Sequence, residues 1–111
     1  MERIRRIANP QELDELIERS KQGPVWVFKH SLTCPISSFA WEEYRSFVAG
    51  RPEDDAVYSL IEVQTARPAS NAVAERTGIT HQSPQALLLR DAKVVWHASH
   101  HAIRVRALEG A

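Results

Sequence analysis

With one cysteine, four glycines and no net charge, this 111-residue chain excludes several classes of protein before any motif is read. A single thiol, Cys34, cannot form an internal disulfide; that fits a reducing compartment, and the cytoplasm is expected. The 14 basic and 14 acidic side chains cancel. No broad field is left to draw in nucleic acid or an anionic membrane surface, and neither is expected as a partner. No apolar run approaches the length of a membrane-spanning helix. Met1-Glu2-Arg3-Ile4-Arg5-Arg6 carries charge with no apolar stretch behind it, so no secretion signal is expected. The glycines stand singly, which leaves no phosphate-cradling loop, and the Gly-X-Ser-X-Gly elbow of serine hydrolases is absent. Without repeats, low-complexity tracts or a linker, residues 1–111 read as one domain, long enough to bury a core.

The chain punctuates itself clearly. Residues 3–7 suit a short opening strand. Asn9-Pro10-Gln11-Glu12 is a helix start, with an N-cap, a proline at the first helical position and an acid at the third. Leu13, Leu16 and Ile17 then share a face until Gly23-Pro24. Residues 25–30 form a continuous apolar strand of the kind buried on both faces. A helix is expected over 35–49, a second buried strand over 56–63, and a helix over 68–77 ended by Gly78. Residues 85–90 and 93–98 read as an antiparallel hairpin around Asp91-Ala92. Alanine accepts positive φ poorly, so that turn is expected to be longer or of another type. The tail, 101–111, has room only for a short helix, which would leave one sheet face thinly covered and open to a weak homodimer; otherwise the chain is a monomer. The order implies an α/β fold: parallel β-α-β units, a closing hairpin that makes the sheet mixed, and helices on both faces.

Cys34 falls between a buried strand and a helix. Proline at 35 pushes residue 34 out of helical geometry, which makes Cys34 the expected N-cap. Its side chain would then accept from the backbone N–H groups of Ile36 and Ser37, at the positive end of the helix dipole. Both effects favour thiolate, the species that exchanges with disulfides. In parallel sheets, ligand sites also lie beyond the carboxyl ends of strands. The plainer alternative is a small buried cysteine with no chemistry.

Thr33-Cys34-Pro35-Ile36-Ser37, after a buried strand and before a helix, resembles the active site of a thioredoxin fold in monothiol form, with Ser37 where Cys-X-X-Cys has its second cysteine. Ser83-Pro84, before the strand Gln85-Ala86-Leu87-Leu88-Leu89, is similar to the cis-proline segment that faces the active cysteine in such proteins. Further stretches agree: Phe28-Lys29-His30-Ser31, Ala66-Arg67-Pro68, Ser70-Asn71, Ala74-Glu75-Arg76, His81 and Val95-Trp96-His97-Ala98-Ser99-His100. Over about residues 5–101 the chain resembles the monothiol bacilliredoxins.

The resemblance implies a thiol–disulfide oxidoreductase with no bound cofactor and with bacillithiol as co-substrate. Bacillithiol is cysteine amide-linked to glucosamine with malate on the sugar, and it forms mixed disulfides with client proteins. Cys34 would attack the bacillithiol sulfur and release the client. Pro35 and Ser37 complete the catalytic set. Ser37 cannot exchange with sulfur, so the adduct would wait for an external thiol, while its N–H and hydroxyl could be offered to Cys34. Thr33, Ser83 and Pro84 would contact the substrate, with the Ser83 backbone pairing to the bound cysteine moiety. Lys29, His30 and Arg67 are candidates for the malate carboxylates; Lys29 and Arg67 read equally well as solvated surface charges.

Two other readings leave Cys34 without exchange chemistry. It could ligate an iron–sulfur cluster or a metal ion, although Pro35 stiffens the loop and the His97, His100 and His101 spacing matches no zinc pattern. Alternatively, the fold could serve as a binding module.

Overall fold

The computed structural model describes residues 3–111. In chain order it contains β1 (Ile4–Arg6), α1 (Pro10–Arg19), β2 (Val25–His30), α2 (Pro35–Ala49), β3 (Val57–Glu62), α3 (Arg67–Thr77), β4 (Gln85–Arg90) and β5 (Lys93–Ser99). A 3-10 turn (His100–Ala102) and the short α4 (Val105–Glu109) close the chain. One five-stranded sheet runs in the order β1-β3-β2-β4-β5. The first three strands are parallel, and β4 and β5 are antiparallel, so the sheet is mixed.

The caps explain several boundaries. Asn9 Oδ1 accepts from the Glu12 N–H at 2.9 Å, which satisfies a donor that α1 leaves open, and the Glu12 carboxylate accepts from the Ala8 N–H at 2.7 Å, which ties down the chain entering the helix. α3 begins at Arg67, one residue before the expected start, with Pro68 inside its first turn. Gly78 ends it at φ 75°, a conformation that glycine adopts without a Cβ penalty.

β2 alternates its side chains between two cores. Trp26 and Phe28 join Tyr44, Phe47 and Val48 of α2, whereas Val25 and Val27 join Leu13 and Leu16 of α1 and Ala69, Ala72 and Val73 of α3. The central strand is therefore apolar on both faces until its last two residues, Lys29 and His30.

Two expectations are corrected here. The hairpin turn is the tight two-residue form, with Asp91 at φ 52° and Ala92 at φ 64°. The end of α1 supports it: the Ser20 carbonyl accepts from Asp91 N–H at 2.9 Å and Ser20 Oγ accepts from Ala92 N–H at 2.8 Å. Those bonds hold a backbone that alanine alone disfavours. The short tail also covers its face better than its length suggests. Ile103 and Leu108 are buried in the α2-side core, and Glu43 of α2 accepts from Val105 N–H at 3.1 Å, anchoring α4. Among the described residues the exposed large apolar side chains are Leu32, Phe39 and Val95, and the first two flank Cys34.

Candidate active site at the carboxyl ends of the central strands

Cys34 is the N-cap of α2, in extended geometry (φ −101°, ψ 120°), and it is partly exposed. Pro35 follows at the helix start, where a missing N–H costs nothing. The expected capping bond is not formed: Cys34 makes no side-chain hydrogen bond to the helix N–H groups. Its side chain faces an open groove lined by Leu32, Thr33, Pro35, Ser38, Phe39 and Glu42. Phe39 is 74% exposed and Leu32 48%, so the groove wall is apolar.

Ser37 is fully buried, with its hydroxyl turned toward the end of β2. Ser37 Oγ accepts from Ser31 N–H at 2.9 Å and pairs with His30 Nδ1 at 2.8 Å. The hydroxyl expected to serve Cys34 is thus committed elsewhere. Desolvation pulls the His30 pKa below the usual histidine value against the opposing pull of Glu62, favouring a neutral ring whose Nδ1 accepts the Ser37 hydroxyl proton. That ring also stacks on Trp41 of α2, with centroids 5.6 Å apart. His30 is therefore a half-buried link between β2 and α2.

Gln64, just beyond β3, clamps the loop that carries the thiol. Its Oε1 accepts from Leu32 N–H at 3.0 Å, and its Nε2 donates to Ser31 Oγ at 2.9 Å and Thr33 Oγ1 at 3.3 Å. Sequence reasoning missed it. The available signal was its place at the carboxyl end of the strand next to β2, where a side chain can bridge two loops.

The second wall is the segment before β4. The Ser83–Pro84 bond is cis. The β2–β4 register ends with Lys29 opposite Gln85, so Pro84 lies one step beyond, at the end of the sheet where β2 gives way to the Cys34 loop. The Pro84 carbonyl accepts from His100 N–H at 3.1 Å. Ser83 Oγ is buried with no hydrogen-bond partner within the chain. Lys29 is no surface charge: it is fully buried, on the α3 side of the sheet, and burial lowers its pKa to about 8. Its ammonium donates to His81 Nδ1 at 2.7 Å. Arg67, at the start of α3, is exposed and close enough to His81 for its charge to be felt there. Lys29 and His30, neighbours in sequence, thus serve opposite faces of the sheet, and Arg67 is the exposed cation of the three candidates. Among the described residues no three His, Cys, Asp or Glu side chains group so as to hold a metal ion.

A partly exposed lone cysteine capping α2 just after β2, with Ser83–Pro84 leading into the neighbouring β4 of a β1-β3-β2-β4-β5 sheet, defines a thioredoxin-fold protein of the thiol-redox class. Comparison with known proteins agrees and is more specific. The chain belongs to the monothiol bacilliredoxin BrxC family, which it matches over residues 5–108. A solved structure provisionally described as an oxidoreductase with a thioredoxin fold is 31% identical, with a TM-score of 0.85 over 97% of this chain and 92% of that one. Thioredoxin from Fasciola hepatica superposes with a TM-score of 0.75 at 16% identity, over 96% of this chain and 94% of that one. Mitochondrial thioredoxin 3 from Saccharomyces cerevisiae gives 0.68 at 17%, over 96% and 91%. These two show the fold alone. Among the described residues no helix is long and apolar enough to cross a membrane.

Proposed function

We propose that this protein is a monothiol oxidoreductase that removes bacillithiol from protein mixed disulfides through Cys34. The observation that carries the reading is the pairing of a partly exposed lone cysteine with Ser37, whose buried hydroxyl is locked to His30 and Ser31. In the first step Cys34 thiolate attacks the bacillithiol sulfur. The client–bacillithiol S–S bond breaks, the client sulfur leaves as thiolate and takes a proton from solvent, and a Cys34–bacillithiol disulfide forms. The chain offers no second thiol to expel that adduct. A free bacillithiol thiolate must therefore attack the adduct's bacillithiol sulfur, returning Cys34 thiolate and producing bacillithiol disulfide.

The site's two walls suit the two halves of such a substrate. Leu32 and Phe39 offer apolar contact to a client surface. On the other wall the Ser83 backbone pairs with the cysteine moiety of bacillithiol, and the unpaired Ser83 hydroxyl gains a partner there. Arg67, exposed at the start of α3, is the cation assigned to the malate carboxylates in this reading. The test is intact-protein mass after exposure to oxidised bacillithiol, with oxidised glutathione in parallel and Cys34→Ser as control. One bacillithiol adduct on Cys34, reversed by free bacillithiol and formed faster than the glutathione adduct, is the expected result. No adduct on reduced, folded protein rejects the function. Equal rates with both thiols keep the monothiol chemistry and reject bacillithiol recognition.

A further inference from the structure

Lys29 has no evident reason to be where it is. A fully buried ammonium on a central strand is costly, and here desolvation is the cause acting on it, with no carboxylate offsetting that burial. Its bond goes to His81, in the connection between α3 and β4 that ends at Pro84. From the neighbouring strand Gln85, its cross-strand partner, sends Nε2 to the Thr80 carbonyl at 3.1 Å. Two adjacent buried side chains of the sheet therefore grip two consecutive residues of the connection, 80 and 81. Two residues later the same connection delivers Ser83.

We propose that Lys29 and His81 are positioning residues for disulfide exchange: the buried ammonium, by donating to neutral His81, holds the 80–84 segment in the register in which the Ser83 backbone receives the substrate. The inference rests on the thiol-exchange reading of Cys34 but not on bacillithiol as the thiol, because every cysteine-derived disulfide presents the same backbone to Ser83. An ammonium can only donate, so the bond needs His81 with Nδ1 unprotonated and its proton on Nε2. The charged groups that act on His81 are Lys29 of β2 and Arg67 of α3, both cationic; with desolvation they hold its pKa below the ordinary value of 6.5. Protonating the ring sets cation against cation and opens the latch. The segment is thus held at neutral pH and released in acid.

The test uses a short peptide whose cysteine is in mixed disulfide with bacillithiol, with free bacillithiol in fixed excess to regenerate Cys34, and the same peptide with glutathione, with free glutathione in that role; each is read by release of the peptide thiol above the uncatalysed rate. Lys29→Met and His81→Leu should each raise KM about ten-fold near neutral pH with kcat within about two-fold, as expected for one charge-assisted hydrogen bond. The double variant should raise KM no further than the larger single effect. Wild-type KM should climb as the pH falls below 6.5, whereas His81→Leu should show a high KM with no such climb. Cys34 alkylation by iodoacetamide, followed over the same pH range, separates titration of the thiol from release of the segment. An unchanged KM in the single variants, independent effects that multiply in the double, or an acid limb that survives in His81→Leu would overturn the proposal. Should Lys29→Met not fold, His81→Leu, at an exposed position, decides alone through its KM and its acid limb. Reaction with the glutathione peptide but not the bacillithiol peptide would remove bacillithiol recognition and leave this test intact. Reaction with neither would overturn both.

Discussion

Ser37→Ala isolates what the serine does in a protein that has no second thiol. The change removes one oxygen from a site that is fully buried. Two partners lose their bond: the backbone N–H of Ser31, a residue itself buried, and Nδ1 of His30, which is only half-buried. A buried N–H left unsatisfied costs about 1–3 kcal/mol, and a group that can regain water costs less. The expected loss is therefore about 2–3 kcal/mol, or roughly 10 °C in Tm for a domain of this size. Urea denaturation followed by circular dichroism and tryptophan fluorescence would measure it, and an unchanged slope would show that the two-state comparison holds. Ser38→Ala is the internal control, because Ser38 is exposed and such changes usually stay within about 0.5 kcal/mol. A loss for Ser37→Ala no larger than the control would refute the reasoning. The hydroxyl would then be free of structural duty, and a direct role beside Cys34 would return.

Other substitutions test the remaining contacts. Ser37→Cys introduces a resolving thiol one helical turn from Cys34, so the Cys34–bacillithiol adduct should decay without added thiol; an adduct as long-lived as in the wild type would count against the role given to this position. Gln64→Leu removes three bonds from the active loop, and the Leu32 amide should exchange with solvent about ten-fold faster while global stability moves by less than about 1 kcal/mol. For Lys29, the folded pKa of about 8 lies below the unfolded 10.5, so the folded protein releases this proton first and gains stability as pH rises between those values. Lys29→Met should therefore be more stable than the parent at neutral pH by about 1–3 kcal/mol, with the advantage shrinking toward pH 10.5. The His30 pKa is also lowered by folding, so its contribution is present above pH 6.5 and is lost as pH falls; His30→Phe should flatten the acid side of the stability–pH curve.

How legible each part was follows from the range of the forces involved. Strand and helix boundaries rest on local chemistry, and Asn9-Pro10, Pro35 and Gly78 declare themselves in the chain. The fit of Cys34 to an N-cap could be read the same way. What could not be read is which partner a polar side chain finds across the fold. Ser37 lies seven residues from His30, yet its hydroxyl is drawn to the strand end rather than to the sulfur. Gln64 reaches back 32 residues to Leu32, and Lys29 reaches 52 residues forward to His81. The positive φ of Ala92 was unreadable for the same reason, since Ser20, which holds that turn, is 72 residues away.

The two ends of the sheet also divide the protein by how well it satisfies itself. At the end away from Cys34, Ser20 meets both N–H groups of the hairpin turn, and Arg3 donates to the carbonyls of Val48, Arg51 and Pro52 behind α2. At the Cys34 end the conflicts gather: an ammonium buried in Lys29, hydroxyls of Ser70 and Ser83 and the side-chain oxygen of Gln85 without partners, and Phe39 left in solvent. Folding alone would favour removing each of these. Ser70, Ser83 and Gln85 belong to the wall made by α3, the 80–84 segment and the head of β4, Lys29 of β2 reaches that wall through His81, and Phe39 lines the groove that holds Cys34. A substrate that pairs with Ser83, seats its client against Phe39 and exchanges with Cys34 answers both walls at once. That concentration of unmet groups around the only thiol is the physical reason to look for exchange chemistry there, independent of any family resemblance.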